Sequence, residues 1–300
     1  MQGVDTSRAA FQAQRAWFGR YLRAVLAAAE PITEHNVFAV EHVLLEAEVD
    51  AARKALRLAG APAFAAGAPR FAQQVGTTCM STSLCNGMVS LGEPSLQLDD
   101  DDALERRVHR ITSDLVERTS AMGKPGEYRS VDDLFKYLEA GRLREVDLGD
   151  GLRVERDYRV RLTCSLLDVV EALWTGRARL LIQRRAHAHL AFGLERGRDD
   201  AWWVLMRDPM HGTGPGFSRA SLETLRRDYL WSPLKKLPRL MGPHGFPTLG
   251  AEALLGHLAR YDDMENLGVE CPSALVYRAA DAPPLLAPRD ETASPPQEPS

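Results

Sequence analysis

Residues 178–209 read ARLLIQRRAHAHLAFGLERGRDDAWWVLMRDP, and this stretch decides the fold class. Three runs stand out in it: "ARLLIQ" (178–183), "HAHLAFGL" (187–194) and "AWWVLMRDP" (201–209). Each is short, rich in branched or aromatic residues and bounded by charged or turn-forming ones, as β-strands are. The turn segment "ERGRDD" joins the last two, which predicts an antiparallel pair. Just upstream, "GLRVERDYRVRLT" (151–163) alternates apolar with charged residues like a half-buried strand, and "SLLDVVEALWTG" (165–176) reads as a helix ended by Gly176. Downstream, "SRASLETLRRDYLW" (218–231) reads as another helix.

The first half of the chain has the helical period instead. In residues 7–30, Phe11, Trp17, Leu22 and Val25 recur on one face between arginines. Thr33 or Asn36 is placed to cap a second helix over 37–60, which stops at Gly60. "APAFAAGAPR" (61–70) has the composition of a linker. A helix over 98–122 opens with the aspartates Asp99–Asp102. They lack the interleaved ligands and glycine of a calcium loop, and carboxylates favour a helix N-terminus through its dipole. Ser130 and Gly141 bracket a short helix between them. Helices first and antiparallel strands later make an α+β chain. The expected division is a helical N-terminal region (1–66), a main domain (67–278) and a proline-rich disordered tail (279–300).

Composition bounds the function. The 300 residues suffice for a sizeable core, at 45% hydrophobic and 26% charged, and the net charge of −4 predicts no nucleic-acid partner. No apolar run reaches bilayer length, so no membrane partner is expected, and the N-terminus lacks a secretory pattern. A cytoplasmic location, or export by a route that reads no cleavable signal, is the expectation. Cysteines 79, 85, 164 and 271 have no regular spacing and describe no disulfide framework.

"QVGTTCMSTSLCNGMVSLG" (74–92) places Cys79 at the start of a helix, with Thr77 or Thr78 as its cap and Leu84, Met88 and Leu91 as an apolar stripe. Unpaired N–H groups and the helix dipole stabilise an anion there, and a thiol so placed has its pKa lowered, most of all beside an imidazolium. A thiolate nucleophile also needs a base, a group that orients the base, and oxyanion donors. His187 opens one strand and Asp208 ends the next, so a hairpin sets the carboxylate near the imidazole. Gln73, six residues before Cys79, has a side-chain amide that can join the Cys79 N–H in an oxyanion hole. Two substitutes stand beside these: His189 shares a strand face with His187, and Gln74 adjoins Gln73.

These residues resemble the papain-like cysteine peptidases. The signature is a glutamine six residues before a cysteine that starts a helix, then a distant strand with His followed six residues on by Gly. Here that strand is "HAHLAFG", His187 to Gly193. The order "LLDVVEALWTG", "ARLLIQ", "HAHLAFGL", "WWVLMRDP" and then "SLETLRRDYLW" is similar to the C39-like branch. The resemblance implies a papain-like fold, a Cys79–His187–Asp208 triad with Gln73 in the oxyanion hole, a protein or peptide substrate, and no cofactor or metal. Met80 departs from it, since many C39-like sequences have a small residue after the cysteine. On the same fold the acyl acceptor decides between peptidase or glutamine deamidase (water) and acyltransferase or transglutaminase (an amine). Two readings compete from other classes. One is a zinc site built on His187 and His189 with Cys79, Cys85, His211 or Asp208. The other is an inactive interaction module that uses the N-terminal helices.

Overall fold

A computed structural model describes residues 37–59, 69–120, 131–163, 165–184, 187–198, 201–230 and 273–281. The expected helix over 7–30, the caps Thr33, Asn36 and Ser130, most of the linker, Cys164, Cys271 and the tail beyond residue 281 lie outside these residues; the first three tail residues, Ala279–Asp281, form a short 3-10 turn. The described elements are α1 (Val37–Ala59), α2 (Cys79–Ser90), α3 (Asp101–Ser120), α4 (Val131–Glu139), β1 (Tyr158–Leu162), α5 (Leu166–Trp174), β2 (Ala178–Arg184), β3 (His187–Arg196), β4 (Trp202–Arg207), β5 (Ser218–Ser221) and β6 (Ser273–Arg278). The six strands form one sheet in the order β1-β6-β2-β3-β4-β5, and every pairing is antiparallel. The chain is α+β, as the pattern predicts.

The sheet separates two apolar layers, as the period of two along each strand requires. Leu181, Ala188, Leu190, Phe192, Leu205, Ala274 and Val276 join the layer that contains α2, α3 and α4. Leu180, Ile182, Ala191, Leu194, Val204, Met206 and Leu275 join the layer that contains α1 and α5. The register of β3 against β4 shifts between Ala191 and Gly193, a bulge the strand pattern does not announce.

Helix α2 is the centre of the first layer. Cys79 through Val89 are all buried, so the helix is enclosed on every side rather than striped. Gly87 permits its close approach to the sheet: a Cβ there would lie 3.0 Å from Val276 Cγ1 and 3.4 Å from Leu190 Cδ1. At its far end the buried Arg179 donates to Ser90 Oγ (2.9 Å) and to the Ser90 carbonyl (2.7 Å), a cation at a helix C-terminus. Burial lowers that guanidinium to about 10. Glu93, wholly buried just beyond, accepts from Ser95 Oγ (2.7 Å), the Glu155 N–H (2.9 Å) and Tyr158 Oη (3.0 Å), tying the connection after α2 to β1.

The described part of the N-terminal region belongs to the second layer. Val49, Ala52 and Leu56 of α1 are buried in it. Glu48 fixes the helix by accepting from the Leu166 N–H at the start of α5 (2.7 Å) and from Arg226 Nε (2.5 Å), whose side chain is 1% exposed. Helix α5 is capped by Ser165 and stops at Gly176, whose φ of 66° is the left-handed conformation glycine adopts most easily.

Two local expectations need correction. "SRASLETLRRDYLW" is not one helix: residues 218–221 pair with β4 as β5, and a short helical turn over 222–229 follows, with Ser221 Oγ accepting from the Thr224 N–H. Edge pairing with Met206 through Trp203 outweighs helical periodicity there. Neither threonine caps α2 through its side chain either. Thr78 holds the N-cap position, but its hydroxyl donates to the Val75 carbonyl (2.8 Å), accepts from the Val75 N–H (3.2 Å) and lies 3.2 Å from Thr82 Oγ1. It closes the turn that enters the helix instead.

Candidate active site

The site stands where β3 begins and β4 ends. Leu190 pairs with Arg207, so the hairpin register carries Asp208 alongside His189 and diagonal to His187. His187 Nε2 and Asp208 Oδ1 are 2.7 Å apart, with both side chains about a quarter exposed (24% and 23%). Oδ1 also accepts from the Met210 N–H at 2.8 Å. Burial raises the Asp208 carboxyl, but that amide and the His187 ring outweigh it and leave the group below its ordinary 3.8. Asp208 is therefore an anion at neutral pH, aligned on one ring nitrogen. The imidazole engaged through Nε2 turns Nδ1 to its other side.

His189 lies two residues along the strand on the same face. Its ring meets His187 edge-on at 4.7 Å between centroids, and it meets Tyr229 at 5.9 Å. Between the histidines, Ala188 points the other way, into the apolar cluster that also holds Cys79. His187 is the first residue of β3, so its ring stands at the strand end.

Cys79 opens α2 as expected, 2% exposed, and it is not in a disulfide. With no side-chain cap on α2, the dipole end of the helix is not screened by a hydroxyl. Cys85 is fully buried, and burial pushes its thiol far up, so it stays protonated and inert.

The segment entering Cys79 is sewn to the loop that leaves Asp208. Phe71 and Gly214 exchange backbone hydrogen bonds at 3.0 Å, the Gln74 N–H donates to the Pro209 carbonyl (2.8 Å), and Gln73 Nε2 lies 3.4 Å from the Met210 carbonyl. Gln73 is exposed and its amide faces that loop. Gln74 Nε2 is turned back onto the Gly76 carbonyl at 2.9 Å. The structure thus brings Gln73, Gln74, His187, His189 and Asp208 to one end of the sheet, and Cys79 into the layer beneath Ala188.

Two positioning residues were not read from the sequence. Asn86, wholly buried two turns below Cys79, accepts from the Ala72 N–H (2.8 Å) and donates to the Ala72 carbonyl (3.0 Å), which fixes the glutamine segment against α2. Its place seven residues after Cys79, on the same helix face, is the only signal the sequence offered. Arg207, 1% exposed, donates to the carbonyls of Gly216, His211 (3.2 Å) and Gly212, and lies over the Phe71 ring at 5.5 Å. It organises the loop directly after Asp208, and nothing in "WWVLMRDP" distinguishes it from a solvated arginine.

Elsewhere, the acidic start of α3 behaves as a helix N-terminus. Asp101 pairs with Arg70 (2.7 Å), and Asp100 accepts from the Asp102 N–H (3.0 Å). His42, His109 and His211 are exposed. Among the described residues no helix is long and apolar enough to cross a membrane. Comparison with protein-family models, curated proteins and solved structures finds no match to the chain.

Proposed function

We propose that this chain is a papain-like cysteine-nucleophile enzyme acting on an amide or acyl bond of a protein or peptide. The observation that carries the reading is the 2.7 Å His187–Asp208 pair, seated on the loop to which the segment entering Cys79 is hydrogen bonded. The Cys79 thiolate adds to the carbonyl carbon, and Gln73 with the Cys79 N–H receives the oxyanion. His187, having taken the thiol proton, returns it to the departing amine, and the acyl group stays on sulfur. Asp208 holds the ring in orientation and stabilises the imidazolium. In the second half, His187 takes a proton from the acceptor as it attacks the thioester, and sulfur leaves. Water as acceptor makes a peptidase or a deamidase; an amine makes an acyltransferase or a transglutaminase. Peptide hydrolysis is the first activity to assay, by analogy of fold.

The geometry supports Gln73 over Gln74 as the side-chain oxyanion donor, since the Gln73 amide reaches the Met210 carbonyl only at 3.4 Å whereas the Gln74 amide is held by the Gly76 carbonyl at 2.9 Å. It supports His187 over His189 as base, since the carboxylate bond is to His187.

The test is the iodoacetamide alkylation rate of each cysteine against pH, mapped by mass spectrometry. The expected outcome is that Cys79 reacts fast well below the ordinary thiol range, and that His187→Ala returns its profile to about 8.5. An unchanged Cys79 profile in His187→Ala, or a Cys79 no faster than Cys85, overturns the proposal.

A further inference from the structure

His187, His189 and Asp208 each offer one ligand atom, and the three atoms lie within 4.8 Å of one another. All three side chains are neither sealed nor fully exposed, so an ion has a path in and a water can complete its shell. Two imidazoles and one carboxylate on adjacent strands, with a fourth position open, are the donor set of a tetrahedral zinc site. The strands supply the rigidity: His187 and His189 share one face of β3, and the register with β4 places Asp208 opposite them.

We propose that this cluster is a divalent transition-metal site, best suited to zinc, and that zinc bound there silences the enzyme reversibly. The reason is electronic. A neutral imidazole carries a single lone pair in its ring plane. Donated to zinc, from whichever nitrogen, it is no longer there to accept the thiol proton. The carboxylate that orients His187 is drawn to the ion as well. His189, which the proposed acyl transfer does not require, has a role in this site: it turns a His–Asp pair into a three-ligand set. The inhibitory half of the inference rests on the reading of Cys79 and His187 given above; the binding half does not.

The experiment uses the full chain, stripped with EDTA, desalted and titrated with zinc chloride alone by calorimetry. Cobalt(II) serves as a spectroscopic reporter of tetrahedral coordination. One zinc per chain is expected, with affinity falling by about 100-fold in His189→Ala and in His189→Asn, which keeps a polar side chain but has no imidazole. His109→Ala, an exposed histidine on α3, should leave binding unchanged. In the same samples zinc should slow Cys79 alkylation at least about tenfold in wild type, reversibly with EDTA, and leave the rate in both His189 variants unaffected. Zinc binding equal in wild type and both variants, or none at all, overturns the site. Two further outcomes separate the claims. Fast alkylation of Cys79 that zinc does not touch overturns the inference and leaves the proposed function standing. Zinc binding that depends on His189, in a chain whose Cys79 is sluggish when metal-free, supports the site and overturns the proposed function.

Discussion

Asn86 shows how one buried amide sets the geometry of a site it does not join. Its side chain satisfies both backbone groups of Ala72, one residue before Gln73, from two turns down the Cys79 helix. Without it, a buried N–H and a buried C=O lose their partner, at roughly 1–3 kcal/mol each. Asn86→Ala is therefore expected to lower unfolding stability by about 2–6 kcal/mol in urea titration, and to slow Cys79 alkylation under native conditions, although lost stability by itself would expose the thiol and speed it. A stability change below about 0.5 kcal/mol would show that Ala72 finds other partners. At this scale the residues of the proposed site were legible in the sequence and their supports were not. Cys79, His187, Asp208 and Gln73 stand out because their residue types belong to a known reaction at known spacings. Asn86 works through the backbone of Ala72 and Arg207 through carbonyls of the loop that follows it, and no residue type marks either partner in the sequence.

At the scale of elements, the segment 69–78 is held at three places: by α2 through Asn86, by the loop 209–214, and by α3 through the Arg70–Asp101 pair. The last of these is electrostatic and half-buried, and it responds to pH. The Arg70 guanidinium beside it holds the Asp101 carboxyl below its ordinary 3.8. A carboxyl depressed in the folded state contributes stability that is fully present above its unfolded value and is lost as pH falls through the folded one. The contribution of Asp101 is therefore complete at neutral pH and disappears on acidification below 3.8. Thermal unfolding of Asp101→Asn between about pH 6 and pH 3 should show a shallower acid limb than wild type, with the curves converging at the acid end. Parallel curves would remove the pair from the stability of this segment. Strands and helices were largely legible from 2.0 and 3.6 periodicities, and α5, β2, β3 and β4 fall where those patterns put them. The failure at 218–221 is instructive: "SRAS" has no strand pattern of its own and becomes β5 because the β4 edge offers it hydrogen bonds.

For the molecule as a whole, α1 covers the apolar face of the sheet opposite α2, and Glu48 is its anchor. Removing that carboxylate takes a charged partner from an arginine 1% exposed and the acceptor from the first amide of α5. Glu48→Ala should lower stability by about 3–5 kcal/mol, whereas Glu48→Gln, which keeps an acceptor, should lose less. Urea midpoints of the two variants check this, and equal values would place the whole effect in the charge.

The sequence by itself determined the α+β class, the helix that begins at Cys79, the hairpin that pairs His187 with Asp208, and the limits of most elements. Those follow from periodicity, turn chemistry and register, all of which act over a few residues. Only the tertiary structure decided which layer each helix enters, that α1 is core to one of them, that β6 returns from far along the chain to lie between β1 and β2, and that His189 completes a three-ligand cluster. These depend on contacts between segments distant in sequence, where burial of apolar area selects the arrangement and the local pattern is silent.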